Sequence, residues 1–246
     1  MAEYDGVPAA ALGFLLDVPS VALHDELEST MDLAHALAAA GAPAGTLVVA
    51  DRQTAGRGRG GRRWHSPGGQ GVWLTLVERP SDTAAVDVLS LRVGLRLAVA
   101  LDRFAAAAVR LKWPNDLFVG GGKLAGVLAE ARWRDGRPDW VAVGVGVNVR
   151  PPRDVPGAAS LGDVERVDVL AAAVLAVRDA ARAEGHLTAP ELEAFASRDL
   201  AWGRTAREPD RGRVAGISPA GDLLLDTARG RTSFRAGSLV LEDEPT

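Results

Sequence analysis

Segments with the hydrophobic pattern of strands alternate with segments that have the pattern of helices along roughly the first 200 residues of this chain. The runs "GTLVVADRQ", "VWLTLVERP" and "WVAVGVGVNV" are rich in β-branched residues, which favours buried strands. The glycines of "VGVGVNV" also predict that another group approaches the backbone of this strand closely. A further strand is predicted at "AVRLKWP", and the glycine run at 120–122 predicts a hairpin. Because hairpins are mixed with helical connections, the expected fold class is α/β or α+β, with a mixed β-sheet flanked by helices.

The predicted helices have recognisable start and stop signals. In the segment 28–41, Ser29 followed by Asp32 resembles a capping box, and Gly41 stands where a glycine commonly ends a helix. Two later helices are predicted at 167–184 and 190–200.

The longest apolar tract, "LSLRVGLRLAVALDRFAAAAV", is also predicted to be helical. Three arginines interrupt it too often for a membrane span. At about 100° per residue, Arg92, Arg96 and Arg103 fall on one side of this helix. We therefore expect them to form a solvent-exposed stripe on an otherwise buried helix.

Near residue 200 the pattern changes to short strands separated by "SPAG", "ARG" and "AG". This spacing predicts a small β-barrel of about 45 residues. The chain is therefore expected to contain a main unit at 1–199 and a small C-terminal unit at 200–246.

Charge and cysteine content exclude several kinds of protein. The net charge of −4 argues against general nucleic-acid binding across the surface. With no cysteine in its 246 residues, the chain cannot form disulfides, thiolate nucleophiles or cysteine-based zinc sites. Its four histidines lack metal-ligand spacing, and the N-terminal stretch carries acids where a secretory signal would carry bases. We expect a soluble, cytoplasmic protein.

Lysine is almost absent, and both of its occurrences lie in one short stretch. Of 28 basic residues, 26 are arginines, whereas Lys112 and Lys123 both belong to "KWPNDLFVGGGKLAG". A GC-rich coding background could leave two lysines by chance. The alternative is chemical, since lysine offers a compact point charge where the wide arginine fork does not fit. We favour a site that needs small cations between anionic oxygens.

A second unusual stretch, "QTAGRGRGGRRWHSPGG" at 53–69, holds six glycines and four arginines. Glycines allow close backbone approach and arginines add charge, so this glycine–arginine loop is suited to binding anions. A solvated loop and an RGG-like RNA-binding segment are the alternatives. A Walker phosphate loop is excluded because its lysine motif is absent. The match of "GRGRGG" to a dinucleotide fingerprint is weak, because no helix pattern follows it.

Taken in order, the glycine–arginine loop, "KWPND", "GKLAG" and "VGVGVNV" form a set that resembles the motifs of the biotin protein ligases. The resemblance covers residues from about 28 to 149, and the small C-terminal unit also fits this family. Such enzymes use Mg-ATP to convert biotin to biotinyl-5′-adenylate, releasing pyrophosphate, and then biotinylate one lysine of a carrier domain. The resemblance implies ATP and Mg²⁺ as cofactors, and biotin as substrate. The implied partner is the biotin carboxyl carrier domain of a biotin-dependent carboxylase.

The resemblance also implies an architecture. The main unit would have the fold of class II aminoacyl-tRNA synthetases and biotin–lipoate ligases, and the C-terminal unit would be an SH3-like barrel. The ligands of Mg²⁺ are not indicated. Only about 27 residues precede the first motif, too few for a winged DNA-binding domain, so we expect no DNA binding. A monomer or a weak homodimer is expected, without membrane attachment.

The family motifs assign roles residue by residue. Residues expected to contact biotin are Ser29, Thr30, Met31, Gln53, Gly56, Arg57, Gly58, Arg59, Lys112 and Gly126. Residues expected to contact the nucleotide are Arg57, Arg62, Trp64, Asn115, Lys123 and Asn148. The expected catalytic residues are Lys112, Lys123, Asp116 and Arg59.

Within this set, Lys112 is expected to bridge the biotin carboxylate and the α-phosphate. Two positions depart from the family pattern. Met31 replaces the usual asparagine, and Gly60 follows Arg59 where two arginines are common.

Simpler interpretations stay open at this point. Trp64 and Trp113 suit a hydrophobic core, Asp116 suits a turn after Asn115, and Ser29 suits a helix cap. Among functions, a lipoate–protein ligase has the same implied fold and adenylate chemistry. A nucleic-acid binder that uses the glycine–arginine loop is the alternative from a different class.

Overall fold

A seven-stranded mixed sheet forms the centre of the protein, for which a computed structural model describes residues 3–151 and 155–244. A short hairpin of β1 (Glu3–Tyr4) and β2 (Val7–Pro8) precedes it. The strands of the central sheet are β3 (Ser20–Leu27), β4 (Thr46–Gln53), β5 (Gly71–Glu78), β6 (Arg110–Lys112), β7 (Asp116–Val119), β8 (Gly122–Arg134) and β9 (Arg137–Asn148). Their spatial order is β3-β4-β5-β9-β8-β7-β6, and β3 pairs with β4 in parallel while the other neighbours are antiparallel. The predicted mixed sheet is confirmed.

Six α-helices lie among the described residues, on the two faces of the central sheet, and a short 3₁₀ helix spans Arg59–Gly61. The α-helices are α1 (Ala9–Leu15), α2 (Thr30–Ala39), α3 (Thr83–Asp87), α4 (Leu89–Leu101), α5 (Arg166–Ala181) and α6 (Ala189–Arg198). The helices predicted at 28–41, 167–184 and 190–200 are therefore confirmed, with shorter ends. Within residues 3–151 and 155–244, no helix is long and apolar enough to cross a bilayer.

The side of the sheet that carries α2 is the side that holds the candidate site. Along β9, alternate residues Val141, Val143, Val145 and Val147 enter the larger core with α4 and α5. The residues between them are small, with Ala142 packed into a second cluster under α2, and Gly144 and Gly146 beyond it. Since alternate side chains point to opposite faces of a strand, this face has room above β9.

A second, smaller sheet is formed entirely by strands after residue 204. Its strands are β10 (Thr205–Glu208), β11 (Gly212–Ile217), β12 (Leu223–Thr227), β13 (Gly230–Phe234) and β14 (Val240–Leu241). They pair in the order β13-β12-β11-β10-β14, all antiparallel. Within residues 3–151 and 155–244, no pairing joins β13 to β14, so the expected closed barrel is an open five-stranded sheet. The outer limits of the two predicted units, residues 1 and 246, lie outside the described residues.

The predicted arginine stripe on α4 is wrong for one of its three members. Arg96 and Arg103 are exposed, but Arg92 is fully buried. The Arg92 guanidinium donates to both carboxylate oxygens of Glu191, at 2.7 and 3.2 Å, and to the carbonyl of His186. Arg92 holds the pKa of Glu191 down at about 2 against the cost of burial, so the pair joins α4 to α6 as ions.

The carboxyl group of Glu78, at the end of β5, gives a prediction for the dependence of stability on pH. Burial raises its pKa from the ordinary 4.5 to about 7, although Arg178 lies 3.3 Å away and opposes the shift. Folding therefore favours the protonated acid, and this group makes the unfolding free energy fall as pH rises from 4.5 towards 7. Glu78→Gln is expected to flatten that decline. Urea denaturation at about pH 5 and about pH 8 measures it, and an unchanged slope would contradict the assignment.

Candidate active site

A cavity of about 710 Å³, open to solvent, lies between the α2 side of the central sheet and the glycine–arginine loop. Thirteen of the residues singled out from the sequence line it. They are Ser29, Thr30, Met31, Gln53, Arg57, Gly58, Arg59, Arg62, Trp64, Asn115, Asp116, Lys123 and Gly126. The lining also contains Arg63, so it carries five basic side chains against one acidic side chain, that of Asp116.

One end of the cavity is polar and uncharged. The side-chain oxygen of Gln53 accepts hydrogen bonds from the Thr30 amide at 2.9 Å and from the Thr30 hydroxyl at 3.1 Å. Thr75 donates to the Thr30 hydroxyl at 2.9 Å, and the Gln53 amide donates to Ser66. These groups hold each other's orientation, which prepares a neutral set of donors and acceptors for a ligand.

The start of α2 delivers Ser29 and Thr30 to this end. The Ser29 hydroxyl accepts from the Met31 amide at 3.3 Å, so the predicted cap is present. Asp32 was expected to complete a capping box, but its carboxylate instead accepts from Arg57. Met31 is buried, and an added Cβ at Gly144 would come within 2.8 Å of its methyl group.

Trp64 lies flat on the glycines of two neighbouring strands and forms a wall of the cavity. An added Cβ would come within 2.5 Å of the Trp64 ring at Gly146 of β9 and within 3.2 Å at Gly126 of β8. The close approach that the sequence predicted for the glycines of "VGVGVNV" is therefore made by a side chain of the protein itself. Among the described residues, the buried Nε1 of Trp64 has no hydrogen-bond partner.

Lys123 supplies an ammonium group within this cavity. Its Nζ lies 2.7 Å from Oδ1 of Asp116 and 5.2 Å from the centre of the Trp64 ring. The hairpin of β7 and β8 positions the pair, since Asp116 begins β7 and Lys123 lies near the start of β8. The Lys123 side chain is still 33% exposed, so it can reach an anion in the cavity while Asp116 limits its freedom.

The glycine–arginine loop is an irregular hairpin over the cavity mouth. The Trp64 amide donates to the Gly56 carbonyl at 2.9 Å, and the Gly58 amide donates to the Arg62 carbonyl at 2.7 Å. At its tip, Gly60 has a φ of 66°, which favours glycine. The loop leads into β5 and opens no long helix, so it is not a dinucleotide-binding turn.

The first two arginines of the loop contact different parts of the protein. The Arg57 guanidinium lies 2.6 Å from Asp32 and 2.6 Å from Glu130. Arg59 donates to the carbonyl of Gly237 beside the small sheet, and its guanidinium lies 5.8 Å from the Trp113 ring. Burial and the neighbouring Arg62 lower the pKa of Arg59. The loop is therefore tied to α2, to β8 and to the small sheet.

The C-terminal base of the loop is tied to the N-terminal hairpin. The Tyr4 hydroxyl donates to the Gly71 carbonyl at 3.4 Å, and the Tyr4 ring lies 4.7 Å from the Arg166 guanidinium. Arg166 forms ion pairs with Asp5 and, at 2.5 Å, with Asp51. The residues before α1 thus help to fix where the loop re-enters the central sheet.

Lys112 does not line the cavity, in contrast to the expectation that it bridges two anionic groups there. Its Nζ lies 2.5 and 2.6 Å from the two carboxylate oxygens of Glu244, and only 10% of its side chain is exposed. The neighbouring Trp113 is buried and donates to the carbonyl of Gly221 at 2.9 Å. In this arrangement Lys112 and Trp113 attach the central sheet to the residues around the small sheet, and Lys123 is the ammonium group of the cavity.

This placement gives a prediction for the pair Lys112 and Glu244. We expect Lys112→Met and Glu244→Gln each to destabilise the fold. The double variant is expected to lose less than the sum, by about 0.5–3 kcal/mol, because each change removes the same contact. Chemical denaturation of the four proteins measures this coupling. A loss of activity in Lys112→Met, with stability unchanged and no effect of Glu244→Gln, would instead support direct contact of Lys112 with substrate.

Three other predicted residues have mainly local contacts. Asn115 lines the cavity and donates to the Val127 carbonyl at 2.7 Å. An added Cβ at Gly56 would come within 2.5 Å of the Trp64 carbonyl. Gly56 therefore allows the two strands of the loop to approach closely, and it lies outside the lining of the cavity. Asn148 donates to the carbonyls of Lys123 and Ala159, and it lines a neighbouring cavity of about 600 Å³ that shares Trp64 and Lys123 with the first.

Sequence reasoning missed several residues of the site. Thr75, Ser66 and Glu130 were not singled out. Thr75 is the polar residue in the apolar run "VWLTLV" of a fully buried strand, which was a usable signal. Glu130 and Ser66 had no comparable signal, because their partners come from distant parts of the chain.

Comparison with known proteins supports the resemblance that the motifs suggested. The model of the biotin/lipoate A/B protein ligase family matches residues 24–148. The bifunctional ligase/repressor BirA of Bacillus subtilis is 36% identical over 242 residues, which cover 89% of this chain and 73% of that protein. The biotin–[acetyl-CoA-carboxylase] ligase of Paracoccus denitrificans is 35% identical over 215 residues, covering 78% and 88%.

Solved structures are similar over most of the chain. The biotin protein ligase of Aquifex aeolicus, in complex with biotin and ATP, superimposes with a TM-score of 0.73 at 27% identity, covering 91% of this chain and 99% of that one. The Leishmania major enzyme in complex with biotinyl-5-AMP gives 0.61 at 26% identity, covering 89% and 99%.

The chain therefore belongs to the biotin/lipoate A/B protein ligase family. Within that family it is an enzyme of the biotin protein ligase type.

Proposed function

We propose that this enzyme activates biotin with ATP to biotinyl-5′-adenylate and transfers the biotin to a lysine of a biotin carboxyl carrier domain. One observation carries the proposal, namely that a single cavity joins a neutral hydrogen-bonding end to a strongly cationic end. Biotin has matching chemistry, with an uncharged ureido ring at one end and a carboxylate at the other. The relatives and solved structures described above support this choice over lipoate.

The neutral end suits the ureido ring. Ser29, Thr30 and Gln53 present hydroxyl and amide groups there, and the buried Met31 and the half-buried Trp64 flank them with apolar surface. Because Gln53 and Thr75 orient the Thr30 hydroxyl before any ligand arrives, a ligand that pairs with it loses little extra freedom of the protein.

The cationic end suits the reacting groups. Attack of the biotin carboxylate on the α-phosphate forms one C–O–P link and expels pyrophosphate, and the two reactants repel each other as anions. Lys123 is proposed to lie between their oxygens and to stabilise the charge that develops on the phosphate. Asp116 keeps that ammonium group in place through its 2.7 Å contact.

The nucleotide is proposed to lie between the first cavity and its neighbour. The unpartnered Nε1 of Trp64, among the described residues, is a donor that an oxygen or ring nitrogen could satisfy. Asn148 and Lys123 border the second cavity, and Arg59 and Arg62 border the first. Within residues 3–151 and 155–244, no cluster of three or more ligating side chains exists. Mg²⁺ would therefore be held largely by phosphate oxygens and water, where it would neutralise phosphate charge.

We also propose that the chain divides into two units. A catalytic unit at 1–199 and an SH3-like unit at 200–246 agree with the confinement of β10 to β14 to residues 205–241. Both units share one continuous hydrophobic core, since Val214 and Leu225 pack in the same cluster as Leu111 and Trp113. The two units are therefore expected to unfold together.

The test is incubation of the enzyme with biotin, ATP, Mg²⁺ and an unmodified biotin carboxyl carrier domain. Intact-mass measurement should detect one added biotinyl group, and pyrophosphate should appear without the carrier domain in single-turnover amounts. Lipoate in place of biotin, with a lipoyl domain, is the matched control. Modification of the lipoyl domain alone would overturn the proposal.

A further inference from the structure

The Arg57 side chain, although it borders the cavity, is already occupied by two carboxylates. Its Nη1 lies 2.6 Å from Asp32 on α2, and its Nη2 lies 2.6 Å from Glu130 on β8. A guanidinium between two carboxylates gains little from a further anion, because its charge is already neutralised. This geometry differs from that of Lys123, which has one carboxylate partner at the cationic end.

Glu130 is in turn held by groups behind it. Its second oxygen lies 3.2 Å from Nε2 of His35, and Nδ1 of His35 accepts a hydrogen bond from Nε1 of Trp140 at 3.0 Å. Since the indole N–H can only donate, Nδ1 carries no proton and Nε2–H points at Glu130. The histidine tautomer is thus set by Trp140, and it orients the carboxylate that binds Arg57.

None of Asp32, His35, Glu130 and Trp140 lines the site cavity. Any effect they have on the reaction passes through Arg57 and the loop that carries it. His35 and Glu130 are well covered, with 11% and 24% of their side chains exposed, whereas Asp32 is 58% exposed. The ion pair of Arg57 with Glu130 is therefore better shielded from solvent than its ion pair with Asp32.

We propose that Glu130, oriented by His35, and Asp32 are positioning residues that hold the glycine–arginine loop closed over bound ligand by fixing Arg57. This inference rests on the proposed biotin-adenylating function. It assigns Arg57 to a tether, meaning its ion pairs with Asp32 and Glu130, rather than to substrate binding. The loop then closes because Arg57 forms ion pairs with Glu130 on β8 and Asp32 on α2, in addition to any attraction from an anionic ligand.

The tether has a pH signature. Below the pKa of His35, the added proton goes on Nδ1, where the Trp140 N–H needs an acceptor, and the arrangement behind Glu130 is lost. Burial lowers the pKa of His35, with Arg132 and Arg57 adding to the effect and Glu130 opposing it. The charged groups facing this cluster are Glu130 and Arg132 from β8, Arg57 from the loop, Asp32 from α2 and Arg79 after β5, whose guanidinium lies 5.9 Å from the centre of the Trp140 ring. The neutral form is therefore the working form at pH 7, and acid weakens the tether.

The test compares Glu130→Gln with Asp226→Asn, which also neutralises a carboxylate paired with an arginine, but in the small sheet. Two quantities are measured for each protein, at the same interval below its own melting temperature. One is release of preformed biotinyl-adenylate made with tritiated biotin, and the other is tryptic cleavage of the loop at 57–63 in ligand-free enzyme. Glu130→Gln is expected to speed both by about 3- to 10-fold, since a partly shielded ion pair is lost. Asp226→Asn should leave both unchanged.

Histidine variants separate orientation from simple packing. In His35→Gln, the side-chain oxygen can accept from Trp140 and the amide can donate to Glu130 without titrating, so this variant should resemble wild type at pH 7. It should also lack the faster release that wild type shows as pH falls towards about 5.5. His35→Leu should behave like Glu130→Gln at every pH.

The inference is overturned if Glu130→Gln matches Asp226→Asn in both measurements, or if His35→Gln behaves like His35→Leu. Should Glu130→Gln fold poorly, Asp32→Asn tests the other half of the tether and should give a smaller effect in the same direction. If the wild type makes no adenylate, the proposed function fails, whereas loop cleavage in the ligand-free enzyme still reports on the tether.

Discussion

Replacement of Lys123 by methionine is expected to lower the rate of biotin adenylation by about 10²–10³-fold, the usual cost of removing one preorganised donor to a developing anion. Methionine keeps most of the apolar stem and the contact with Trp64 while it removes the charge. The fold should survive, because the Lys123 side chain is one-third exposed and its partner Asp116 can still meet water.

Single-turnover release of pyrophosphate measures this effect directly. Arg134→Met is the matched control, since it removes one positive charge from a side chain that is 73% exposed and outside the cavity. A rate for Lys123→Met within about threefold of that control would show that the ammonium group is not needed, because a donor to the transition state contributes far more.

Replacement of Arg59 by glycine is expected to release the adenylate before transfer. Arg59 connects the loop to the Gly237 carbonyl beside the small sheet, and its guanidinium lies against Trp113. A charge-assisted hydrogen bond of this kind contributes about 1.5–3 kcal/mol. If the loss of this hydrogen bond acts mainly on the state in which the loop covers the adenylate, the residence time of the adenylate would shorten by about 10- to 150-fold.

The released adenylate is a mixed anhydride and reacts with free amines, so Arg59→Gly should biotinylate unrelated proteins. Biotin on added serum albumin, at equal enzyme concentration, measures the leak. Arg52→Gly is a suitable control, because Arg52 lies outside the site cavity and its ion pair with Glu26 lies at the surface. Normal adenylation by the Arg59 variant with albumin labelling no higher than wild type would contradict the proposed closure.

The sequence was sufficient to predict the scaffold because local patterns determine it. The hydrophobic strands, the glycine turn at 120–122 and the Ser29 cap are signals within a few residues, and all are present in the fold. The glycines of "VGVGVNV" were also correctly predicted to be sites of close approach. That Trp64 makes this approach was not predictable, since 82 residues separate it from Gly146.

Charged side chains were predicted less well, because their role depends on partners that are distant in sequence. Arg92 followed the same helical stripe as Arg96, yet it is buried against Glu191 of another helix. Lys112 has the motif of a catalytic lysine, and its ion pair with Glu244, 132 residues away, was not predicted from that motif. A pattern within one segment cannot tell a solvated charge from a paired one, since a remote carboxylate makes the difference.

The ties from the two outer parts of the chain to the site have a practical consequence for protein engineering. Tyr4 and Asp5 fix the base of the loop through Gly71 and Arg166, while Glu244 binds Lys112. A tag or fusion partner attached directly before Tyr4 or directly after Glu244 would press on one of these contacts. Fusions of this enzyme therefore need flexible linkers on either side, and the same contacts offer two positions where a fused sensor domain could bring biotin transfer under external control.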